Sequence, residues 1–260
     1  MRIPYFQVNA FTQEPFAGNP AGVCLLEKWL PDPQLQSVAA ENNLSETAFL
    51  VREADGYRLR WMTPTTEVDL CGHATLASAH VLFFERACTE NAIQFQTLSG
   101  KLSATRLGDM VELNFPSRPP QPCTAPPALL NGLGRKPMQV LKSRDFLAVY
   151  ESLNDVTSLQ PDMDSLCLLD SLGVIVTAPG QDVDFVSRFF APKVGVPEDP
   201  VTGSAHCSLI PYWAERLGKR TLRARQISRR GGELLCELKG TRVALAGHAV
   251  VYCRGELQLC

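Results

Sequence analysis

The chain contains two matching segments, one in each half, at residues 67–74 and 198–205. The identical positions are Glu67 and Glu198, Gly72 and Gly203, and Ala74 and Ala205, each pair 131 residues apart (198 − 67, 203 − 72 and 205 − 74). In both segments a polar stretch ends at glycine and an alanine-rich apolar run follows, which is typical of a tight turn that enters a helix. A repeat of this kind predicts two similar halves rather than one undivided core.

A second set of matches supports an internal duplication. The pairs are Gly100 and Gly232, Leu102 and Leu234, Val111 and Val243, and Leu113 and Leu245, each 132 apart (232 − 100 and so on), so one inserted residue accounts for the change in offset. Between the halves, residues 116–127 include six prolines, which is typical of a linker. We therefore predict an N-terminal lobe at 1–117, a linker at 118–127 and a C-terminal lobe at 128–260, with the last strand free to return to the first lobe.

Residues 74–86 are predicted to form a helix, because small and large apolar residues occupy nearly every face over more than three turns. Such a helix is buried on all sides. A second helix is predicted from Ser204 to about Leu217, with a kink or break at Pro211. Short strand-like segments surround both helices. We expect an α+β fold in which each lobe is a curved, mostly antiparallel sheet or barrel around a central buried helix.

The two glycine turns also indicate where a ligand binds. A helix N-terminus carries unpaired backbone N–H groups and the positive end of the helix dipole. In two pseudo-symmetric lobes, we expect the termini at residues 72–75 and 203–206 to point into a cleft between the lobes. Such a cleft favours a small carboxylate-bearing molecule over a polymer.

The composition argues against several other functions. A formal net charge of −2, from 25 basic and 27 acidic residues, gives no reason to expect nucleic acid or an anionic membrane as a partner. No apolar run resembles a signal peptide or a membrane span, and the nine cysteines form no C-x-x-C pair, so we expect a cytoplasmic protein with reduced thiols. Metal-ligand spacings and glycine-rich nucleotide motifs are missing from the sequence, so no metal and no cofactor are expected.

Five ordered segments carry a family pattern. They are residues 9–12 (NAFT), 16–23 (FAGNPAGV), 44–49 (LSETAF), 71–75 (CGHAT) and 198–205 (EDPVTGSA). Together they resemble the PhzF-like phenazine-biosynthesis family, nearly from end to end. That family shares a two-lobed fold with diaminopimelate epimerase and proline racemase. The resemblance implies a homodimeric isomerase that needs no cofactor and transfers a proton on a small carboxylate, either cyclic or derived from an amino acid.

The resemblance also implies roles for individual residues. The proton-shuttling glutamate of the family corresponds to Glu46, and its supporting histidine, aspartate and serine correspond to His73, Asp199 and Ser204. A hydrogen shift between two carbons needs one carboxyl that accepts a proton and returns it, which a dry cleft favours by raising its pKa. Further candidate substrate contacts are Asn19, Ser45, Cys71, Gly72, Thr202 and Gly203.

Cys71 and Thr202 distinguish this chain from the epimerases. The resemblance implies that those enzymes place one cysteine on each side of the substrate carbon. Here Cys71 stands at the first of these positions, but Thr202 stands at the second, which argues against a two-base cysteine racemase. Two alternatives stay open: an epimerase or dehydratase that uses Cys71 on an amino acid, and a non-catalytic protein that only binds a small acid.

Several candidates have a structural explanation as well. Glu46, next to a predicted strand, fits a solvated edge carboxylate, and His73 fits a cap or a bond to a turn carbonyl. Asp199 before proline is a common turn residue, and Ser204 is a favoured helix N-cap. Cys71 fits a small buried hydrophobe.

Overall fold

The computed structural model describes residues 1–259, which form two compact units. The first unit comprises Met1–Phe115 and the chain from Leu245 onward, and the second comprises Pro116–Ala244. The proline-rich segment 118–127, predicted as a linker, thus lies within the second unit. The last strand lies in the first unit, the lobe to which the sequence analysis left it free to return.

The fold is mixed α/β, with many strands and few helices. The elements of the first unit are β1 (Arg2–Ala10), β2 (Asn19–Leu26), α1 (Asp32–Asn42), β3 (Glu46–Glu53), β4 (Gly56–Met62), β5 (Glu67–Val68), α2 (Gly72–His80), β6 (Ala92–Thr97), β7 (Gly100–Leu107) and β8 (Met110–Pro116). The second unit continues with β9 (Gln121–Pro122), α3 (Pro127–Leu133), β10 (Gln139–Lys142), β11 (Phe146–Val149), α4 (Leu153–Thr157), α5 (Met163–Cys167), β12 (Val174–Pro179), β13 (Phe185–Phe190), α6 (Gly203–Leu217), β14 (Thr221–Gln226) and β15 (Gly232–Lys239). The chain then forms β16 (Arg242–Gly247), which spans the boundary, and β17 (Ala249–Gln258). Within residues 1–259, no helix combines the length and the apolar composition needed to cross a bilayer.

The two units pair their strands in the same order. In the first unit, β1–β2, β3–β4 and β6–β7 are antiparallel, whereas β2–β3 and β4–β6 are parallel. In the second, β10–β11, β12–β13 and β14–β15 are antiparallel, whereas β11–β12 and β13–β14 are parallel. In each unit a glycine-turn helix connects the second parallel pair, α2 in the first and α6 in the second. This common order supports the internal duplication.

The helix α2 is buried in the first unit, as the sequence predicts. Every residue from Gly72 to Ala79 is buried, and the helix packs against β1, β2, β3, β7 and β17. Its two internal hydroxyls bond back to the helix, since Thr75 Oγ1 donates to the Cys71 carbonyl (2.5 Å) and Ser78 Oγ donates four residues back (2.7 Å). Both hydroxyls therefore have hydrogen-bond partners although the helix has no solvent-facing side.

The predicted helix over residues 74–86 is not α-helical throughout. After α2, residues Val81–Glu85 form a π-helical turn. The Arg86 N–H donates to the Val81 carbonyl, five residues back, at 2.9 Å. This spacing is the hydrogen bond that defines the wider turn.

Pro211 does not interrupt α6, which is one continuous helix over Gly203–Leu217. Proline has no N–H, so the carbonyl of Cys207, four residues back, loses its helical partner. The backbone N–H of Arg118 donates to that carbonyl instead, at 2.8 Å. The predicted break is absent because the proline-rich segment supplies the missing donor within the same unit.

A stability prediction follows from the burial of α2. Leu76 is fully buried, so Leu76→Ala should lower the free energy of unfolding by about 2–5 kcal/mol, through lost burial and a new cavity. Urea denaturation followed by circular dichroism measures the change. Leu98 lies in the same unit and is 64% exposed, so Leu98→Ala should change stability by less than about 0.5 kcal/mol. Equal effects of the two substitutions would contradict the burial of α2.

Candidate active site

In the first unit, a carboxylate and an imidazole meet where β3 and α2 begin. Glu46 is the first residue of β3, and His73 is the second residue of α2. Glu46 Oε2 lies 3.1 Å from His73 Nε2, and the two side chains are 19% and 6% exposed. The atoms are close enough for an ion pair but are not aligned as a hydrogen bond, and both are buried without another hydrogen-bond partner. Glu46 Oε2 can therefore still accept a hydrogen bond or a proton.

The other side of the imidazole ring contacts two further candidates. Asn19 Nδ2 lies 3.2 Å from His73 Nδ1, and Cys71 Sγ lies 3.5 Å from the same nitrogen. Asn19 follows Gly18, which has φ +67° and whose added Cβ would lie 2.3 Å from the Ala10 carbonyl oxygen, so only glycine fits this turn. Asn19 is fully buried, which makes it a support for the His73 ring.

Burial shifts the pKa of both titratable neighbours of Glu46. It raises the pKa of the Cys71 thiol to about 11, with the charge of Glu46 acting in the same direction, so the thiol is neutral near pH 7. Burial alone lowers the pKa of His73, but its contacts with Cys71 and Glu46 outweigh this and raise it well above 6.5. Because burial keeps the Cys71 thiol neutral near pH 7, we expect the contact with Glu46 to be what raises the pKa of His73.

The three side chains also form a possible set of metal ligands. Glu46, Cys71 and His73 offer ligand atoms that all lie within 4.8 Å of one another. However, Glu46 faces Nε2 while Cys71 faces Nδ1, and these nitrogens point to different sides of the ring. A metal ion on one ring nitrogen is therefore within reach of either Glu46 or Cys71, but not of both without rearrangement. Histidine and one of these two residues give two ligands, fewer than the three or four protein ligands usual for zinc. The donor set fits an acid–base cluster better than a metal centre.

In the second unit, Asp199 and Thr202 form a hydrogen-bonded pair just before α6. Thr202 Oγ1 donates to Asp199 Oδ2 at 2.5 Å. Gln226, fully buried at the end of β14, holds both residues. Its Nε2 donates to the Asp199 carbonyl (2.8 Å) and to Thr202 Oγ1 (3.1 Å), and its Oε1 accepts from the Thr202 N–H (2.9 Å). The Thr202 hydroxyl proton is thus already engaged within this network.

Ser204 lies beside an arginine that the sequence motifs do not include. Arg144 Nη2 donates to Ser204 Oγ at 3.0 Å, and Arg144 Nε lies 3.2 Å from Asp145 Oδ2. Ser204 was predicted as a possible N-cap, but Thr202 is the N-cap residue and Ser204 lies inside the helix, with no side-chain cap. Its hydroxyl is therefore not used for capping.

The two glycine-turn helices begin in the same way. Their N-cap residues, Cys71 and Thr202, are both extended, and in each helix a side chain four residues later bonds to the N-cap carbonyl. That side chain is Thr75 Oγ1 in the first unit and His206 Nδ1, at 2.8 Å, in the second (206 − 75 = 131). The matched glutamates agree too. Glu67 accepts two hydrogen bonds from Arg60 and Glu198 accepts two from Arg188. The repeated sequence thus encodes a repeated local structure.

The predicted site residues fall into two groups, one in each unit. The first unit contains Asn19, Ser45, Glu46, Cys71, Gly72 and His73, and the second contains Asp199, Thr202, Gly203 and Ser204. Sequence reasoning missed Gln226 and Arg144. Both lie outside the five family segments, and they bond to residues 24 and 60 positions away, so no local signal marks them.

Known proteins match nearly the whole length of the chain. The family model for phenazine biosynthesis-like proteins matches residues 8–255. An uncharacterized isomerase of Pseudomonas aeruginosa is 51% identical over 259 residues, with 100% of both chains covered. The crystal structure of a PhzF family phenazine biosynthesis protein from Enterococcus faecalis matches with a TM-score of 0.97 and 48% identity, also over 100% of both chains.

A more distant match extends the likeness of the fold. The structure of a probable proline racemase from Agrobacterium radiobacter K84, with bound carbonate, matches with a TM-score of 0.68 and 12% identity, covering 99% of this chain and 93% of the other. This distant match shows a common fold. This chain belongs to the phenazine biosynthesis-like (PhzF) family and is an isomerase of that family. The alternative of a protein that only binds a small acid is set aside.

The charge of His73 gives a prediction about Glu46. We expect the pKa of His73, measured from the pH dependence of its ring NMR signals, to fall in Glu46→Gln, because the substitution removes the supporting carboxylate. A histidine pKa that is raised on folding stabilises the protein fully below its unfolded value of about 6.5, and this stabilisation is lost as pH rises through the folded value. Because its His73 pKa is less shifted, Glu46→Gln should lose less stability than the unchanged protein as the pH rises through the His73 titration. An unchanged His73 pKa in Glu46→Gln would contradict the ion pair.

Proposed function

We propose that the protein transfers a proton between two positions of a small carboxylate-bearing substrate, without a cofactor, and that Glu46 is the general acid and base. The proposal rests on one observation: Glu46 and His73 are in contact, but the atoms that meet have no aligned hydrogen bond. A structural ion pair is usually satisfied by aligned hydrogen bonds, whereas Glu46 Oε2 and His73 Nε2 are close but not aligned. Glu46 is therefore held next to a cation with capacity left for a substrate proton.

The surroundings of Glu46 suit proton transfer in both directions. Its side chain is 19% exposed, so a small molecule can reach it while little water surrounds it. The His73 cation stabilises the carboxylate form, which accepts a proton from carbon, and the same carboxyl then returns the proton to another carbon. Asn19 holds the opposite side of the His73 ring, so the cation stays in place during the cycle. General acid–base catalysis of this kind contributes about 10²–10⁴-fold to the rate.

The second unit supplies polar groups suited to binding. Ser204 presents a hydroxyl that is not used as a helix cap, and Asp199 is fixed by Thr202 and Gln226. We propose that Ser204 and the backbone at Gly203 bind a substrate carboxylate, and that Asp199 contacts a polar substituent. In this assignment Thr202 orients Asp199 and does not exchange protons with the substrate.

Solvent exchange tests the role of Glu46 before the physiological substrate is known. The protein in deuterium oxide is incubated with a panel of cyclic amino acids and hydroxyanthranilates, and deuterium on carbon is measured by mass spectrometry. We expect deuterium in at least one compound with the unchanged protein. Glu46→Gln should lower the exchange rate by about 10²–10⁴-fold, because the amide cannot carry the proton.

A matched control lies on the same strand. Glu53 ends β3 and is exposed, so Glu53→Gln should leave the exchange rate unchanged within about 2-fold. Glu46→Asp, which keeps the acid but shortens the side chain, should retain more activity than Glu46→Gln. Exchange that survives Glu46→Gln at the original rate would remove Glu46 from the proton path.

Cys71 is the residue on which an epimerase or dehydratase mechanism would depend. Such a mechanism needs a thiolate, but burial raises the pKa of this thiol to about 11. Cys71→Ala should therefore lower the deuterium exchange rate by less than about 10-fold, far less than Glu46→Gln. A loss as large as that of Glu46→Gln, with an unchanged melting temperature, would favour the mechanism based on Cys71.

A further inference from the structure

Arg144 differs from Arg188 and Arg225, two other arginines of the second unit, in what it bonds to. Arg188 and Arg225 each donate two or more hydrogen bonds to carboxylates, Arg188 to Glu198 and Arg225 to Asp182 and Glu233. Those guanidiniums are neutralised by their partners. Arg144 instead directs one terminal nitrogen, Nη2, at the hydroxyl of Ser204, 3.0 Å away.

The position of Arg144 is fixed by a buried carboxylate. Asp145 is only 3% exposed; its Oδ2 lies 3.2 Å from Arg144 Nε, and its Oδ1 accepts the Gly173 N–H at 3.1 Å. The Arg144 carbonyl is held as well, because it accepts from the Ser171 hydroxyl at 3.3 Å. Both the backbone and the Nε side of Arg144 are therefore anchored, and its side chain still keeps 33% of its surface exposed. An arginine fixed in this way loses little conformational entropy when it binds a ligand.

The anchoring contacts leave donors unused. Within residues 1–259, Arg144 Nη1 has no acceptor, and the Ser204 hydroxyl, which accepts from Arg144, donates its own proton to no protein group. The Nη1 group and the Ser204 hydroxyl thus provide free N–H and O–H donors on two bonded neighbours. A carboxylate accepts from such a pair through its two oxygens.

The local charge also favours an anion. Arg118 lies near enough to affect the charges of Asp145 and Cys207, and Arg144 acts on both as well. Two guanidiniums thus lie within electrostatic range of one carboxylate, whose pKa both act to lower against the effect of burial, and positive charge is in surplus. Ser204 lies in the first turn of α6, where the helix dipole has the same sign.

We propose that Arg144 is a specificity-determining residue that binds an anionic group of the substrate together with Ser204. The proposal rests on the proposed function, since it assigns the substrate carboxylate to Ser204. The Nη1 group donates to one carboxylate oxygen, and the Ser204 hydroxyl donates to the other. The substrate class is therefore small acids whose carboxylate is ionised, and neutral amides of the same shape are excluded.

The test compares an acid with its amide. Isothermal titration measures the binding of 3-hydroxyanthranilate and of 3-hydroxyanthranilamide to the unchanged protein and to Arg144→Met. We expect the unchanged protein to prefer the acid, and Arg144→Met to weaken acid binding by about 10- to 100-fold while amide binding changes by less than about 2-fold, because a charge-assisted hydrogen bond is lost. Arg144→Lys, which keeps the charge but not the planar donor pair, should fall between the two.

Controls separate this role from a structural one. Arg229→Met, at an exposed arginine of the same unit, should leave the binding of both compounds unchanged. Because Arg144 and Ser204 are bonded, the effects of Arg144→Met and Ser204→Ala on acid binding should be less than additive in the double variant. Equal weakening of acid and amide in Arg144→Met, or no preference for the acid in the unchanged protein, overturns the proposal.

The proposed function fails by a different measurement. Acid binding that depends on Arg144, without deuterium exchange in any compound, would contradict proton transfer and leave the Arg144 assignment intact. Conversely, exchange that depends on Glu46 but is unaffected in rate and KM by Arg144→Met would support proton transfer and overturn the role of Arg144.

Discussion

The helix α2 has no solvent-facing side, and the first unit is arranged around that constraint. Because every residue from Gly72 to Ala79 is buried, strands must cover the helix on all sides, and they do so from both ends of the sequence, β1 and β17 included. This cover places the start of β3, and with it Glu46, beside the first turn of α2. The ion pair between Glu46 and His73 is a consequence of that packing, and it lies where the helix begins.

The duplicated halves keep a common backbone plan and differ in the chemistry placed upon it. Both units pair their strands in the same order, and both bind the N-cap carbonyl through a side chain four residues later. Yet in the first unit a histidine lies next to a carboxylate. In the second unit a threonine and an aspartate bond to each other, and Gln226 forms hydrogen bonds with both. The asymmetry of Cys71 and Thr202 thus extends to their neighbours, which agrees with one acid–base group rather than two equivalent thiols.

Much of the fold could be predicted from local patterns, and the errors have physical causes. The two helices expected after the glycine turns are present as α2 and α6, although the first becomes π-helical at Val81–Glu85. The arginine-rich run at 220–225 overlaps β14, whose buried positions include Leu222 and Ala224, so that Arg223 is exposed and Arg225 pairs with acids of the same unit. Pro211 does not break α6, since a donor from a distant segment bonds to the carbonyl that its missing N–H leaves unpaired.

The sequence by itself determined the duplication, the two glycine-turn helices, the family and the candidate residues, because each depends on residues that are neighbours in the chain. Only the tertiary structure decided what those residues touch. The raised pKa of His73 depends on its contacts with Cys71 and with Glu46, the latter 27 residues earlier (73 − 46), and the raised pKa of the Cys71 thiol depends on burial by strands from distant parts of the chain. The contacts of Arg144 and Gln226 were likewise visible only in the tertiary structure, since a hydrogen bond between residues 60 or 24 positions apart leaves no pattern in a single sequence.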